Sequence, residues 1–183
     1  MKPLRSRTPR RKSIRLDGKQ DESLARQSKR QDTTIESEGA EFLVLGQLLI
    51  RGITAYKTYA RQPEYDVVAI NPDRHKSVAR ISVKSRWTTT ATGFLLKSLD
   101  CDFVVLVKLN RGSKDGSAEV RPPEYFILPA HVLRRVPRSK GWNKISFGSI
   151  PGFKTYQDRW DLISQFLQRR KKRPNERKET VGR

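Results

Sequence analysis

Asp66 opens the apolar run Tyr65-Asp66-Val67-Val68-Ala69-Ile70, and Lys84 falls near the end of the next run, Val78-Ala79-Arg80-Ile81-Ser82-Val83-Lys84-Ser85. Upstream, Glu41 interrupts an apolar helical segment. A carboxylate taken into a core is costly unless it is paired or holds a metal. Two acids and a lysine so placed point to a site, and they suit metal-assisted attack on a phosphodiester. That hydrolysis needs a divalent ion to offset phosphate charge and supply hydroxide near neutral pH. Magnesium, or manganese in its place, takes oxygen ligands. A lysine beside it can hold the attacking water or offset transition-state charge. Spacing alone leaves two plainer readings open. Glu41 can be a helix carboxylate facing solvent, and Asp66 with Lys84 a simple cross-strand ion pair.

The elements that must position these residues follow from periodicity. Ser37 reads as an N-cap with Glu38 in the first turn, and Gly39 to Arg51 as a helix carrying Phe42, Leu45 and Leu49, with Val44 and Leu48, at helical spacing. Glu41, Leu45 and Leu48 fall on one face. Gly52 is expected to close the helix. Ile53 to Tyr59 reads as an edge strand, Tyr65 to Ile70 as the second strand, and Asn71 to Lys76 as a hairpin loop. In the third strand, to Trp87, alternation puts Arg80, Ser82 and Lys84 on one face and Ala79, Ile81 and Val83 on the other. The start of one hairpin strand lies beside the end of the next, so Asp66 is expected to neighbour Lys84.

Further along, Thr88 to Gly93 reads as a loop without core potential. Phe103-Val104-Val105-Leu106-Val107 is a continuous apolar run, the mark of a strand covered on both faces. Arg111 to Ser117 reads as a polar loop and Glu124 to Leu128 as a strand. Pro129 suits the first turn of a short helix through Val136. Asp158 to Gln168 repeats apolar residues at Trp160, Ile163, Phe166 and Leu167, predicting a closing amphipathic helix. The order predicts an α/β or α+β domain around one sheet, without an internal repeat.

Charge sets the partner. Residues 1–32 hold 11 Lys/Arg against 4 Asp/Glu, a net +7, and residues 169–183 hold 8 against 2, a net +6. Of the total +20, this leaves +7 on residues 33–168, which are the length of one ordinary domain. Both ends have the composition of disordered basic arms. Nucleic acid is the expected polyanionic partner. A second copy of the chain is allowed. No apolar run reaches the ~18 residues of a membrane span and no hydrophobic signal region follows the basic start, so no membrane contact is expected. Cys101 is the single cysteine, which excludes an intramolecular disulfide and a cysteine zinc cage. A cytoplasmic location is expected, with the nucleoid or nucleus as the site of work according to host.

The stretch from Glu41 to Gly52, then Tyr65-Asp66-Val67-Val68-Ala69, then Arg80-Ile81-Ser82-Val83-Lys84, resembles the PD-(D/E)XK nuclease superfamily. The resemblance covers about residues 37 to 135 well and the closing helix loosely. It implies a single restriction-endonuclease-like α/β domain with a mixed central sheet flanked by helices. It also implies a magnesium-dependent (or manganese-dependent) DNA endonuclease, with Glu41 as the helix glutamate, Asp66 as the first motif acid and Lys84 as the motif lysine. The metal ligands would be Asp66, Glu41, the Val83 carbonyl and Ser82. Ser82 departs from the pattern, standing where the second acid belongs, and a hydroxyl is the weaker ligand. The alternative is therefore a catalytically degenerate DNA- or RNA-binding protein on the same fold. Arg80 and Arg86 flank the site and, with Arg169, Arg170, Lys171, Lys172 and Arg173, are candidates for the nucleic-acid backbone. His75 and His131 lack partners at metal spacing. Trp87 and Trp142 are candidates for base stacking, while Trp160 is expected in the core.

Overall fold

The computed structural model describes residues 33–59, 64–73, 77–113, 115–139 and 141–169. The expected arms fall outside these residues except for Arg169, as do His75, Arg170, Lys171, Lys172 and Arg173. The elements run α1 (Thr33–Leu49), β1 (Ala55–Lys57), β2 (Val67–Ile70), β3 (Val78–Arg86), β4 (Gly93–Leu95), β5 (Phe103–Lys108), β6 (Glu124–Pro129), α2 (Ala130–Leu133), β7 (Lys144–Ser146) and α3 (Asp161–Gln168). Two 3-10 turns, Phe147–Ser149 and Phe153–Tyr156, precede α3. The fold is α/β, with a mixed five-stranded sheet ordered β1-β2-β3-β5-β6 and a separate two-stranded ribbon of β4 and β7. Only β3 and β5 run parallel; the other neighbours in the sheet are antiparallel.

Two apolar clusters cover the two faces of the sheet. Ala40, Val44 and Leu48 of α1 and Ile163 and Leu167 of α3 pack on Val67, Ala69, Ala79, Ile81, Val83 and Val105. The opposite face buries Val104, Leu106, Phe126 and Leu128 beneath Phe94, Ile145 and Leu133. Phe153 stacks between Phe126 and Phe147, at centroid distances of 4.2 and 4.8 Å. β5 is covered on both faces, as its unbroken apolar run predicts, and each buried Val or Leu contributes roughly 1.5–3 kcal/mol.

Several expectations are corrected. The first helix spans Thr33–Leu49, so Ser37 lies inside it and is not its N-cap. Its buried stripe is Ala40, Val44 and Leu48, whereas Phe42 and Leu49 face solvent. The small Ala40 and β-branched Val44 allow α1 close to the sheet, which the bulkier stripe would not. Gly52 does end the helix, at φ 73°, with the Ile53 amide bonded to the Leu48 carbonyl. Pro129 is both the last residue of β6 and the N-cap of α2, one place ahead of the helix's first turn, and α2 stops at Leu133 rather than Val136. The closing helix begins at Asp161, three residues past Asp158. Arg169 caps α3 through its amide, which bonds to the Gln165 and Phe166 carbonyls. No helix among the described residues is long and apolar enough to cross a membrane.

Candidate functional site

β2 and β3 form the hairpin that holds Asp66. Their register pairs Val67 with Ile81 and Val68 with Arg80, and one further step brings Asp66 opposite Ser82. Asp66 sits just before β2, yet its backbone is fixed on both sides: its amide donates to the Ile81 carbonyl at 2.9 Å, and its carbonyl accepts from Thr58 at 3.0 Å. Its carboxylate turns back onto β3. Oδ2 accepts the Val83 amide at 2.6 Å and the Ser82 hydroxyl at 3.3 Å. Oδ1 has no partner among the described residues. Residues of an extended strand point N–H and C=O the same way, so the Val83 carbonyl faces this edge too.

Lys84 stands next along β3. The parallel register sets Ser82 beside Val104 and Lys84 beside Leu106, so both project to the face built by Phe94 and Ile145. Lys84 is half-buried and makes no hydrogen bond or ion pair among the described residues. An ammonium partly withdrawn from water without a counter-charge is unfavourable in isolation.

Glu41 approaches from α1, on the other face, close enough to Asp66 for the two carboxylates to feel one another. Burial lifts Glu41 above the usual glutamate range. A hydrogen bond from Lys57 opposes that lift, and the Asp66 charge adds to it. Lys57, on the edge strand β1, was not singled out by sequence reasoning. Its ammonium pairs with Glu41 and, at 3.1 Å, with Glu38, while the rings of Phe42 and Tyr59 lie 5.5 and 5.1 Å away. Burial alone would lower the Lys57 pKa; the bonds to Glu41 and Glu38 outweigh it and raise it. The signal available was a lysine in a strand between Tyr56 and Tyr59, a place where an unpaired charge would be costly.

The remaining candidates fall into place around this edge. Ser82 is 2 % exposed and its hydroxyl serves Asp66. Arg80 is taken up by Asp100 and Asp102, at 2.8 and 3.4 Å, rather than standing free. Arg86 donates to the Gly93 carbonyl at 2.7 Å; burial pulls its pKa down while Glu36 opposes. His131 is exposed, Trp160 is buried, and Trp87 and Trp142 are exposed. Among the described residues no three His, Cys, Asp or Glu side chains gather as a metal cage. A cavity of about 250 Å³, bordered by Asp102, His131, Arg134, Gln165, Phe166 and Arg169, opens near the start of β5. None of Glu41, Asp66, Ser82 or Lys84 lines it.

No family model and no curated protein matches the chain. Among solved structures it is similar to a bacterial homing endonuclease, I-Ssp6803I, with a TM-score of 0.47 and 18 % identity, over 73 % of this chain and 92 % of that one.

Proposed function

We propose that the chain is a divalent-metal-dependent deoxyribonuclease of the PD-(D/E)XK kind, working through Asp66, Glu41 and Lys84. One observation carries this reading: a clamped carboxylate beside an unclamped ammonium. Asp66 Oδ2 is held by Val83 while Oδ1 stays open, and Lys84, the next residue along, has no partner among the described residues. Asp66 Oδ1, the Glu41 carboxylate and the Val83 carbonyl would supply an all-oxygen donor set, which suits magnesium or manganese. With Ser82 in the second acid's place the set is one anion short, leaving room for water and substrate oxygens.

An ion held there would offset phosphate charge and lower the pKa of a bound water. The chain's own residues do the rest. The Val83 amide keeps the Asp66 carboxylate aimed, through a hydrogen bond to a charged acceptor. Lys84 donates to a phosphate oxygen or to the attacking water. Lys57 favours the ionised form of Glu41 against the burial that resists it.

The test is cleavage of supercoiled, linear and branched DNA with magnesium or manganese. Asp66→Asn keeps an acceptor for Val83 and should preserve the fold, while cutting should fall at least about a hundredfold. The second reading, a binder without catalysis, is favoured by Ser82, whose proton is committed to Asp66. Tight DNA binding without cutting in either metal would establish it and retire the nuclease.

A further inference from the structure

The ribbon of β4 and β7 has no role in the chemistry above, and its surroundings are unusual in charge. Residues 125–157 contain Arg134, Arg135, Arg138, Lys140, Lys144 and Lys154 and no Asp or Glu. None of Arg134, Arg135, Arg138 and Lys144 pairs with a carboxylate among the described residues.

The ribbon is firmly seated. Its register pairs Gly93 with Ser146, Phe94 with Ile145 and Leu95 with Lys144. Phe94 and Ile145 are fully buried against Val104 and Leu106, while Leu95, Lys144 and Ser146 face outward. Gly93 permits the close crossing, since a Cβ there would collide with the Ile145 carbonyl. The turn before β7 carries Trp142, at 77 % the most exposed of the large apolar side chains among the described residues. The described residues flanking it are bonded: the Ser139 amide to the Lys144 carbonyl at 3.0 Å, the Lys144 amide to Ser139 Oγ at 3.2 Å, and the Leu96 amide to the Asn143 carbonyl at 3.0 Å. A large ring thus stands exposed two residues before Lys144, which pairs with no carboxylate among the described residues.

The ribbon stands on the Lys84 face. Lys84 pairs with Leu106 in the sheet, Leu106 lies under Phe94 and Ile145, and Arg86 ties the end of β3 to Gly93. The geometry points to the β4–β7 ribbon and its Trp142 turn as a docking element for duplex DNA, with Arg135, Arg138 and Lys144 on phosphates and Trp142 against a base or sugar. A two-stranded ribbon fits the major groove of B-DNA, about 12 Å wide. Phosphate contacts of this kind set register, leaving the ring and the outward Leu95 and Ser146 to meet base edges. Only the inference that the duplex is thereby carried over Lys84 rests on the nuclease reading.

Binding is measured with the full chain in EDTA, by fluorescence anisotropy of a labelled 30-base-pair duplex (roughly three helical turns at ~10 base pairs each) across a range of KCl. Arg135→Ala/Arg138→Ala/Lys144→Ala should make the log–log salt slope shallower by about 0.9 for each phosphate no longer neutralised. Trp142→Ala should weaken binding roughly tenfold with the slope unchanged, and Trp142→Phe should recover most of it. These side chains are exposed and the one bond lost is the long 3.4 Å contact of Arg138 with the Leu96 carbonyl, so the variants should stay close to the wild-type Tm, which separates weakened docking from a damaged fold. Unchanged slope and affinity in both variants, or a preference for single strands or RNA over the duplex, would overturn the proposal. If wild type cuts DNA and the variants bind as it does, the ribbon reading alone fails. If the variants lose duplex binding and wild type never cuts, the nuclease reading alone fails.

Discussion

Lys57 on the edge strand and Glu41 on α1 form an ion pair that is almost sealed from solvent, the lysine side chain being 5 % exposed. The pair opposes, without cancelling, the burial that disfavours ionised Glu41. Glu41 titrates above its ordinary range, so the folded chain holds that proton more tightly than the unfolded chain. Its ionisation therefore subtracts stability as pH rises through the folded value, and Lys57 limits the loss.

Lys57→Met should lift the Glu41 pKa further and leave Glu38 and Glu41 facing each other. The expected cost near pH 7 is about 1–3 kcal/mol, below that of a fully buried pair because Glu38 is half-exposed. The deficit should shrink as pH falls and Glu41 takes up its proton. Tm measured from pH 4 to 8 for both proteins checks this. A gap that stays constant or widens in acid would mean that Glu41 is not the group responsible.

Lys84→Met should behave oppositely in stability. Lys84 has no partner to lose among the described residues, and methionine fills a similar space without a desolvated charge. Tm should hold or rise while metal-dependent cutting disappears, the pattern of a residue kept for chemistry rather than for folding. A clear fall in Tm would place Lys84 in a structural role instead.

Ser82→Asp would set a carboxylate beside Asp66 at a site that is 2 % exposed. Without metal the variant should be destabilised by like charge and by loss of the hydroxyl's bond to Asp66. Added magnesium should recover more stability than it does in wild type, since a ligand bound only by the folded state stabilises by RT ln(1 + [L]/Kd). Thermal melts with and without magnesium read both effects. Equal responses in the two proteins would argue against an ion at Asp66.

How legible these features were in the sequence depended on how local their causes are. β5 announced itself because six successive residues are covered on both faces or nearly so. The hairpin of β2 and β3 was legible because Asp66 and Ser82 are set by alternation and a short turn. The ribbon was not. β4 and β7 have three residues each and single buried side chains at Phe94 and Ile145, too few for a period to emerge. Lys57 escaped for a related reason: its partner Glu41 lies sixteen residues back, on a different kind of element. On α1, periodicity offered several apolar stripes, and only packing chose the smaller one.

The separation of these pairs along the chain also orders their assembly. Asp66 and Val83 are 17 residues apart, whereas Phe94 and Ile145 are 51 apart (145 minus 94). Closing a span three times longer costs about 1 kcal/mol more in chain entropy. The ribbon has only three rungs with which to offset that cost, so by contact order it closes after the hairpin. Synthesis runs the same way, since Lys84 leaves the ribosome 60 residues before Lys144 (144 minus 84). The residues of the candidate site can thus meet while the second strand of the ribbon has yet to be made.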